Sequence, residues 1–200
     1  MNNPEKTQPA GARVEPRVIP PHGGYRNLKS YQMAEIIHDA TVVFANRFVD
    51  RFSRTRDQMV QAARSGKQNI AEGSQVSGTS KASEIKLVGV ARASLEELLV
   101  DAQDYLRQHA LALWGKDDPK AKAVRAIGQE RDRSYGSYKT YFEGGTAEAA
   151  ANALVCLVHQ ANYLLDQQLH ALEREVVEKG GFNERLYMAR VNYRQVNRSK

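Results

Sequence analysis

The chain has 200 residues, of which 42% are apolar, and this length and composition suit one globular domain with a hydrophobic core. No apolar run reaches the roughly 18 residues of a membrane span, and the N-terminus carries no secretory signal pattern, so we expect a cytoplasmic protein. The single cysteine, Cys156, excludes a disulfide framework within one chain, and its apolar neighbours favour a buried thiol.

The formal charge of +6 is concentrated at the two ends of the chain. Residues 1–29 carry five Lys or Arg against two acids, and residues 182–200 carry five against one. Within the body, residues 47–92 hold nine basic against four acidic residues, whereas residues 93–181 hold ten against fourteen. Because basic surfaces attract nucleic acid or acidic protein, the second predicted helix and the two ends are the candidate binding segments.

The chain begins with a segment, residues 1–24, that holds five of the six prolines and predicts a disordered lead-in. The first long helix is predicted over residues 28–52, where side chains for one buried stripe recur at steps of three or four: Ile37, Thr41, Phe44, Phe48 and Phe52. Val42 and Val49 lie off this stripe, and they indicate either a subunit interface or two scattered exposed valines.

The second helix is predicted to follow Thr55 as its N-cap and to end near Gly73, where glycine tolerates a left-handed C-cap. Gly66 in its middle indicates close packing against another helix, because glycine there costs about 1 kcal/mol relative to alanine. The third helix, residues 83–108, is predicted to begin near Ser80 or Ser83. The short turn between these helices predicts antiparallel packing, and Arg92 is expected to pair with Glu96 one turn along.

A shorter helical insertion is predicted to open at Asp118 and Pro119 by the cap-then-proline rule. Basic and aromatic residues then alternate over residues 131–142, which suits either a surface that stacks bases or an aromatic cap on the bundle end. The fourth long helix is predicted from Thr146 or Ala147 to Lys179. Its broad apolar surface indicates a helix packed on more than one side.

Catalytic and metal sites have little support in the sequence. Phosphate-binding, dinucleotide-binding and zinc motifs are absent, and the five histidines show no pairing with a nucleophile. An acidic cluster on the third helix suggests a metal site, but it forms a solvated stripe equally well and lacks a Glu-x-x-His partner: Glu96, Glu97, Asp101 and Asp104. We therefore predict a protein that is not an enzyme and that uses no cofactor.

Several motifs resemble one family of bacterial four-helix-bundle proteins. They are Asn69-Ile70-Ala71-Glu72-Gly73, then Ser83-Glu84, then Ala93-Ser94-Leu95-Glu96-Glu97. The family includes proteins encoded in ribosomal RNA intervening sequences and the accessory variability determinant of diversity-generating retroelements. A branch called four-helix-bundle suffix proteins is similar over Tyr25-Arg26-Asn27-Leu28-Lys29-Ser30-Tyr31, Asn162-Tyr163-Leu164-Leu165-Asp166 and Gly180-Gly181-Phe182. The resemblance implies an up-down bundle, a homopentameric ring and, in retroelement members, a reverse transcriptase as partner.

The sequence thus predicts an all-α antiparallel four-helix bundle over residues 25–181, preceded by the lead-in and followed by a basic tail, residues 182–200. We expect a non-catalytic, oligomeric accessory protein that binds RNA or DNA. The alternative is a ring that docks a partner protein through the same cations without binding nucleic acid. The predicted nucleic-acid-binding residues are Arg56, Arg64, Lys67 and Lys81 in the body and Arg185, Tyr187, Arg190, Tyr193, Arg194 and Arg198 in the tail, with the tyrosines stacking on bases.

Overall fold

The computed structural model describes residues 18–198, and this part of the chain is helical with no strand. The all-α class predicted from the sequence is therefore confirmed. In chain order the helices are α1 (Lys29–Phe48), α2 (Arg54–Val76), α3 (Lys81–Gln108), α4 (Pro119–Ile127), α5 (Tyr135–Lys139), α6 (Ala147–Lys179) and α7 (Phe182–Arg198). A 3₁₀ turn, Tyr25–Asn27, precedes α1, and a π-helical turn, Thr140–Gly144, continues α5.

Four long helices form the bundle, in which α1 and α3 each pack against both α2 and α6. Contacts between neighbours pair rising residue numbers with falling ones, so these neighbours run antiparallel. Between α3 and α6 the pairs are Lys81 with Glu175 at 3.1 Å, Arg92 with Asp166 at 2.6 Å and Glu96 with Asn162 at 2.9 Å. Between α1 and α2, His38 meets Lys67 and Asn46 meets Arg56.

The core is built around the first half of α6, where every residue from Ala150 to Val158 is buried. Helices α1 and α3 cover two sides of α6, and α4 covers another. This explains the broad apolar surface in the sequence, because the first half of α6 is covered on several sides and presents no polar face to water. Helix α6 starts where the sequence predicts, and Thr146 is its N-cap, accepting the Ala149 N–H at 3.2 Å.

The ends of α1 and α2 differ from the predictions. Helix α1 stops at Phe48, and Phe52 is 82% exposed rather than part of the buried stripe. The reason is Asp50, whose carboxylate accepts the Phe52 N–H at 2.7 Å and so favours a turn over another helical turn. Ser53, not Thr55, is the N-cap of α2, since its hydroxyl accepts the Thr55 N–H at 3.3 Å.

The turn between α2 and α3 also lies later than predicted. Gly73 is a buried helical residue, and α2 continues to Val76. A Cβ on Gly73 would lie 3.4 Å from the Glu84 carbonyl oxygen, so this glycine allows close helix packing and does not serve as a cap. Ser80 is the N-cap of α3, accepting the Ser83 N–H at 3.1 Å.

The segment between α3 and α6 covers one end of the bundle. Asp118 caps α4, with its carboxylate accepting the Lys120 N–H at 2.8 Å. In the interleaved basic and aromatic segment, Tyr138 and Phe142 are completely buried, and Arg47 of α1 donates to the Phe142 carbonyl. Packing on the bundle end is therefore what these two aromatic residues do.

Most of the predicted lead-in, residues 1–17, lies outside the described residues. The last two residues of the basic tail, 199–200, lie outside them as well. Residues 18–24 of that lead-in lie against the turn between α2 and α3, where the Gly23 N–H donates to the Ser74 carbonyl at 3.0 Å. Across residues 18–198 no helix combines the length and hydropathy needed to cross a bilayer.

Candidate nucleic-acid interface

Helix α7 carries the basic C-terminal segment and begins after a two-residue break between helices, at Gly180 and Gly181. Gly180 adopts φ +66°, a conformation that favours glycine, and this turns the chain out of α6. The Glu184 carboxylate then accepts the Gly181 N–H and so supports the first turn of α7. None of the residues of α7 is fully buried, and most of its side chains, including Arg190, Arg194 and Arg198, are exposed.

The arginines of α7 do not form one set. Arg190, Arg194 and Arg198 follow at steps of four, which places them on one face with a rise of about 6 Å between neighbours. Tyr187 lies on the same face, since it is seven residues before Arg194. Arg185 lies elsewhere, with its guanidinium donating to the Gly180 carbonyl at 3.4 Å.

Tyr193 lies on a different face of α7 from these three arginines. It is seven residues after Leu186, and it shares a stripe at heptad-like spacing with Phe182, Leu186, Ala189 and Val196. Tyr193 is 72% exposed and Val196 is 63% exposed. The sequence-based prediction treated the two tyrosines alike, but only Tyr187 is placed to act together with the arginine row.

The arginine row is not neutralised within the described part of the chain. No ion pair with a carboxylate involves Arg190, Arg194 or Arg198 in residues 18–198. Glu184, the single acidic residue of α7, lies at its opposite end. The row is thus a compact set of three permanent positive charges beside one exposed aromatic ring.

Three of the four predicted cations of the body lie along the seam between α1 and α2. Arg56 donates to the Asn46 side chain, and Lys67 lies 3.4 Å from His38 Nδ1. Arg64 is exposed and close enough to His38 to act on it electrostatically. The three cations form a second basic surface.

His38 reports this positive environment. Burial lowers the pKa of His38, and Lys67 and Arg64 lower it further, whereas Asp39 at 3.5 Å opposes them. The sequence suggested a solvated histidine on the polar side of α1. In the structure His38 is half-buried in the seam, and its charged form is disfavoured there.

Lys81, the fourth predicted cation of the body, lies at another seam and is already engaged. Its ammonium contacts Glu84 at 2.9 Å and Glu175 at 3.1 Å, and its side chain is only 14% exposed. Burial alone would lower the pKa of Lys81, but the hydrogen bonds to the two carboxylates raise it. Lys81 joins α3 to α6 and is not presented to a ligand, so we remove it from the candidate interface.

The acidic residues of α3, unlike the cations of α2 and α7, form a negatively charged surface. Arg92 pairs with Asp166 of α6, not with Glu96 as predicted, because α6 brings that carboxylate within 2.6 Å. Burial raises the pKa of Asp101, and the neighbouring Asp104 and Glu97 raise it further. Among residues 18–198, no three His, Cys, Asp or Glu side chains are grouped so that they could hold a metal ion.

The tyrosines Tyr135 and Tyr138, in the basic and aromatic segment of residues 131–142, make contacts within the protein. Tyr135 donates to the Glu143 carboxylate at 3.2 Å, and burial together with this bond raises the pKa of Tyr135 to about 12. Burial raises the pKa of Tyr138 to about 12 as well. Base stacking by this segment has no support from the geometry.

No protein-family model, curated protein or solved structure matches this chain. The functional assignment therefore depends on the two basic surfaces themselves. The sequence placed Arg56, Arg64 and Lys67 together on the solvent side of the second helix, but it did not predict that Arg56 and Lys67 contact Asn46 and His38 of α1, because these two residues carry no motif. It also missed a cavity beneath Trp114, whose walls come from distant segments that no sequence spacing connects.

Proposed function

We propose that this protein is a non-catalytic accessory that binds nucleic acid through the arginine row of α7. The observation that carries the proposal is the exposed row of Arg190, Arg194 and Arg198, unpaired with any carboxylate of residues 18–198 and flanked by Tyr187. Arginine suits this role because its planar guanidinium both pairs with phosphate and stacks on bases. Nothing in the row favours one base over another, so the binding is independent of sequence.

Contacts of this kind depend strongly on salt. Three arginines that each neutralise one phosphate give a slope of log K against log salt of about −2 for a single strand. The seam cations Arg56, Arg64 and Lys67 offer a second basic surface, and binding at both surfaces would make the slope steeper. Either contact alone is weak at physiological salt.

Oligomerisation would convert weak contacts into useful affinity. The family that the sequence resembles forms pentameric rings, and we propose a homo-oligomer, with a pentamer as the expected state. Repeating the arginine row around a ring makes binding multivalent, which raises avidity without any new contact. In that setting the protein would hold RNA or DNA near a reverse transcriptase, as the resemblance implies.

The test is a titration of single-stranded RNA, single-stranded DNA and duplex DNA at several salt concentrations. The variant is Arg190→Gln/Arg194→Gln/Arg198→Gln. The matched control, Lys29→Gln/Lys86→Gln/Arg131→Gln, removes the same charge from three exposed positions elsewhere. We expect the α7 variant to bind far more weakly and with a slope reduced by about 2 for single strands, and the control to keep most of its affinity. Absence of binding at low salt, or equal losses in both variants, refutes the proposal.

The second candidate, docking of a partner protein, is favoured by the other face of α7. The exposed stripe of Leu186, Tyr193 and Val196 is apolar, and phosphate binding gives no reason for such a stripe. Under this alternative, Leu186→Ser/Tyr193→Ser/Val196→Ser abolishes binding of a partner reverse transcriptase, and neither the wild-type protein nor the arginine variant binds nucleic acid at low salt.

A further inference from the structure

A cavity of about 380 Å³ lies between α6, α4 and the loop that follows α3. Its wall is mostly apolar, with contributions from Trp114, Ala121, Val155 and Cys156. Ala121, Val155 and Cys156 are at most 7% exposed, so the floor is part of the protein interior. The volume is at the small end of the range for ligand pockets, which is about 300–1,000 Å³.

The loop wall of the cavity is held in place from the core. Asn152 of α6, only 1% exposed, accepts the Trp114 backbone N–H at 2.7 Å and donates to the Ala112 carbonyl at 2.8 Å. The Trp114 indole N–H donates to Glu148 at 3.0 Å, and the Lys120 ammonium lies 5.3 Å from the centre of the indole ring. The indole ring is therefore positioned before any ligand arrives.

Apart from the uncharged amide of Gln103, the polar side chains that line the cavity are basic. Lys116, Arg125 and His159 line it, and no carboxylate is among its lining residues, all of which belong to the described range. Arg125 is oriented by a hydrogen bond from its guanidinium to the Lys116 carbonyl at 2.5 Å. The nearby acids have other tasks, because Glu148 accepts from the indole and Asp118 caps α4.

We propose that this cavity binds a small amphiphile with an aromatic or short aliphatic body and one carboxylate or similar anionic group. The body would pack on Trp114 and the floor residues, and the anionic group would meet the Arg125 and Lys116 side chains at the rim. This combination of an apolar wall with a few convergent cations is what such a ligand requires. The site is independent of α7 and of the proposed contact with nucleic acid.

The chain supplies two reporters of its own at this cavity. Trp114 is the only tryptophan and Cys156 the only cysteine. The first measurement is energy transfer from Trp114 to anilinonaphthalene sulfonate, an aromatic anion, titrated into the full-length protein at pH 7. The second is competition by phenylpropanoate against phenylpropanol, which has the same body without the charge. The third is the rate at which iodoacetamide alkylates Cys156.

We expect saturable energy transfer, displacement by phenylpropanoate at concentrations at least tenfold below those of phenylpropanol, and slower alkylation of Cys156 when phenylpropanoate is bound. Arg125→Leu should weaken the binding of phenylpropanoate about ten- to a hundredfold, because one charge-assisted hydrogen bond to its carboxylate is lost. Since Arg125 also holds the loop, His159→Glu provides a variant at an exposed rim position. Its matched control is His170→Glu, eleven residues farther along α6 and also exposed.

His159→Glu should weaken the binding of phenylpropanoate and leave the binding of phenylpropanol unchanged. His170→Glu should change the binding of neither compound. The proposal is overturned if the probe shows no saturable transfer from Trp114. It is equally overturned if phenylpropanol competes as well as phenylpropanoate, or if the two histidine variants behave alike.

Discussion

Gly66 provides a direct test of how closely α2 and α3 pack. It lies in the middle of α2, and a Cβ built on it would be 2.7 Å from Leu95 Cδ2 and 2.8 Å from Leu95 Cγ. Leu95 is completely buried, so its side chain has no open space to move into. Gly89 in the middle of α3 is the matched control, because a Cβ there has nothing within 4 Å.

The two substitutions to alanine should therefore have opposite effects. Alanine gains about 1 kcal/mol over glycine in a helix interior, and Gly89→Ala should stabilise the protein by that amount. Gly66→Ala gains the same propensity but overpacks the crossing, at a cost of about 1–3 kcal/mol. The expected net effect is a destabilisation of roughly 0–2 kcal/mol, which leaves a difference of about 1–3 kcal/mol between the variants.

Urea unfolding followed by far-UV circular dichroism, at one fixed protein concentration, measures both free energies of unfolding. The Leu95→Ala background isolates the contact, because removing the leucine side chain frees the space that the new methyl group needs. In that background Gly66→Ala should become stabilising, with a coupling energy of about 1–3 kcal/mol. The packing argument fails if Gly66→Ala stabilises the wild-type background as much as Gly89→Ala does.

Three further predictions follow from single side chains. Asn152→Ala should destabilise the protein by about 1–3 kcal/mol, since the Trp114 N–H and the Ala112 carbonyl lose their partner. It should also increase acrylamide quenching of Trp114, and unchanged quenching would contradict the role of Asn152 in holding the loop. Lys81→Met leaves Glu84 without its cation and should cost about 1–3 kcal/mol in urea unfolding, with no change in nucleic-acid affinity. Burial lowers the pKa of His38 in the folded protein, whereas the unfolded chain keeps the ordinary pKa of 6.5. As the pH falls through 6.5, the unfolded state therefore takes up the His38 proton before the folded state does. Stability should therefore fall as the pH decreases through that value, and His38→Gln should make the fall shallower in thermal melts; an unchanged profile would refute the assignment.

The sequence alone was sufficient for features that depend on local chemistry. The four long helices follow from apolar side chains at steps of three and four, which one helix face must bury whatever the partner. The start of α4 at Asp118 and Pro119 follows from capping, which involves neighbours within three residues. The close packing implied by Gly66 was also predicted, because a helix accepts the cost of glycine only where a side chain would not fit.

The tertiary structure alone decided which charges are free. Lys81 and Arg92 look like any other surface cations in the sequence, yet α6 brings Glu175 and Asp166 to them from more than seventy residues away. The sequence placed Tyr193 on a different helical side from Arg190 and Arg194, but only the structure extends α7 to Arg198 as one continuous helix. The cavity beside Trp114 depends on three segments that meet only after folding. Such pairings depend on the distance between remote residues, which local propensity and spacing do not encode.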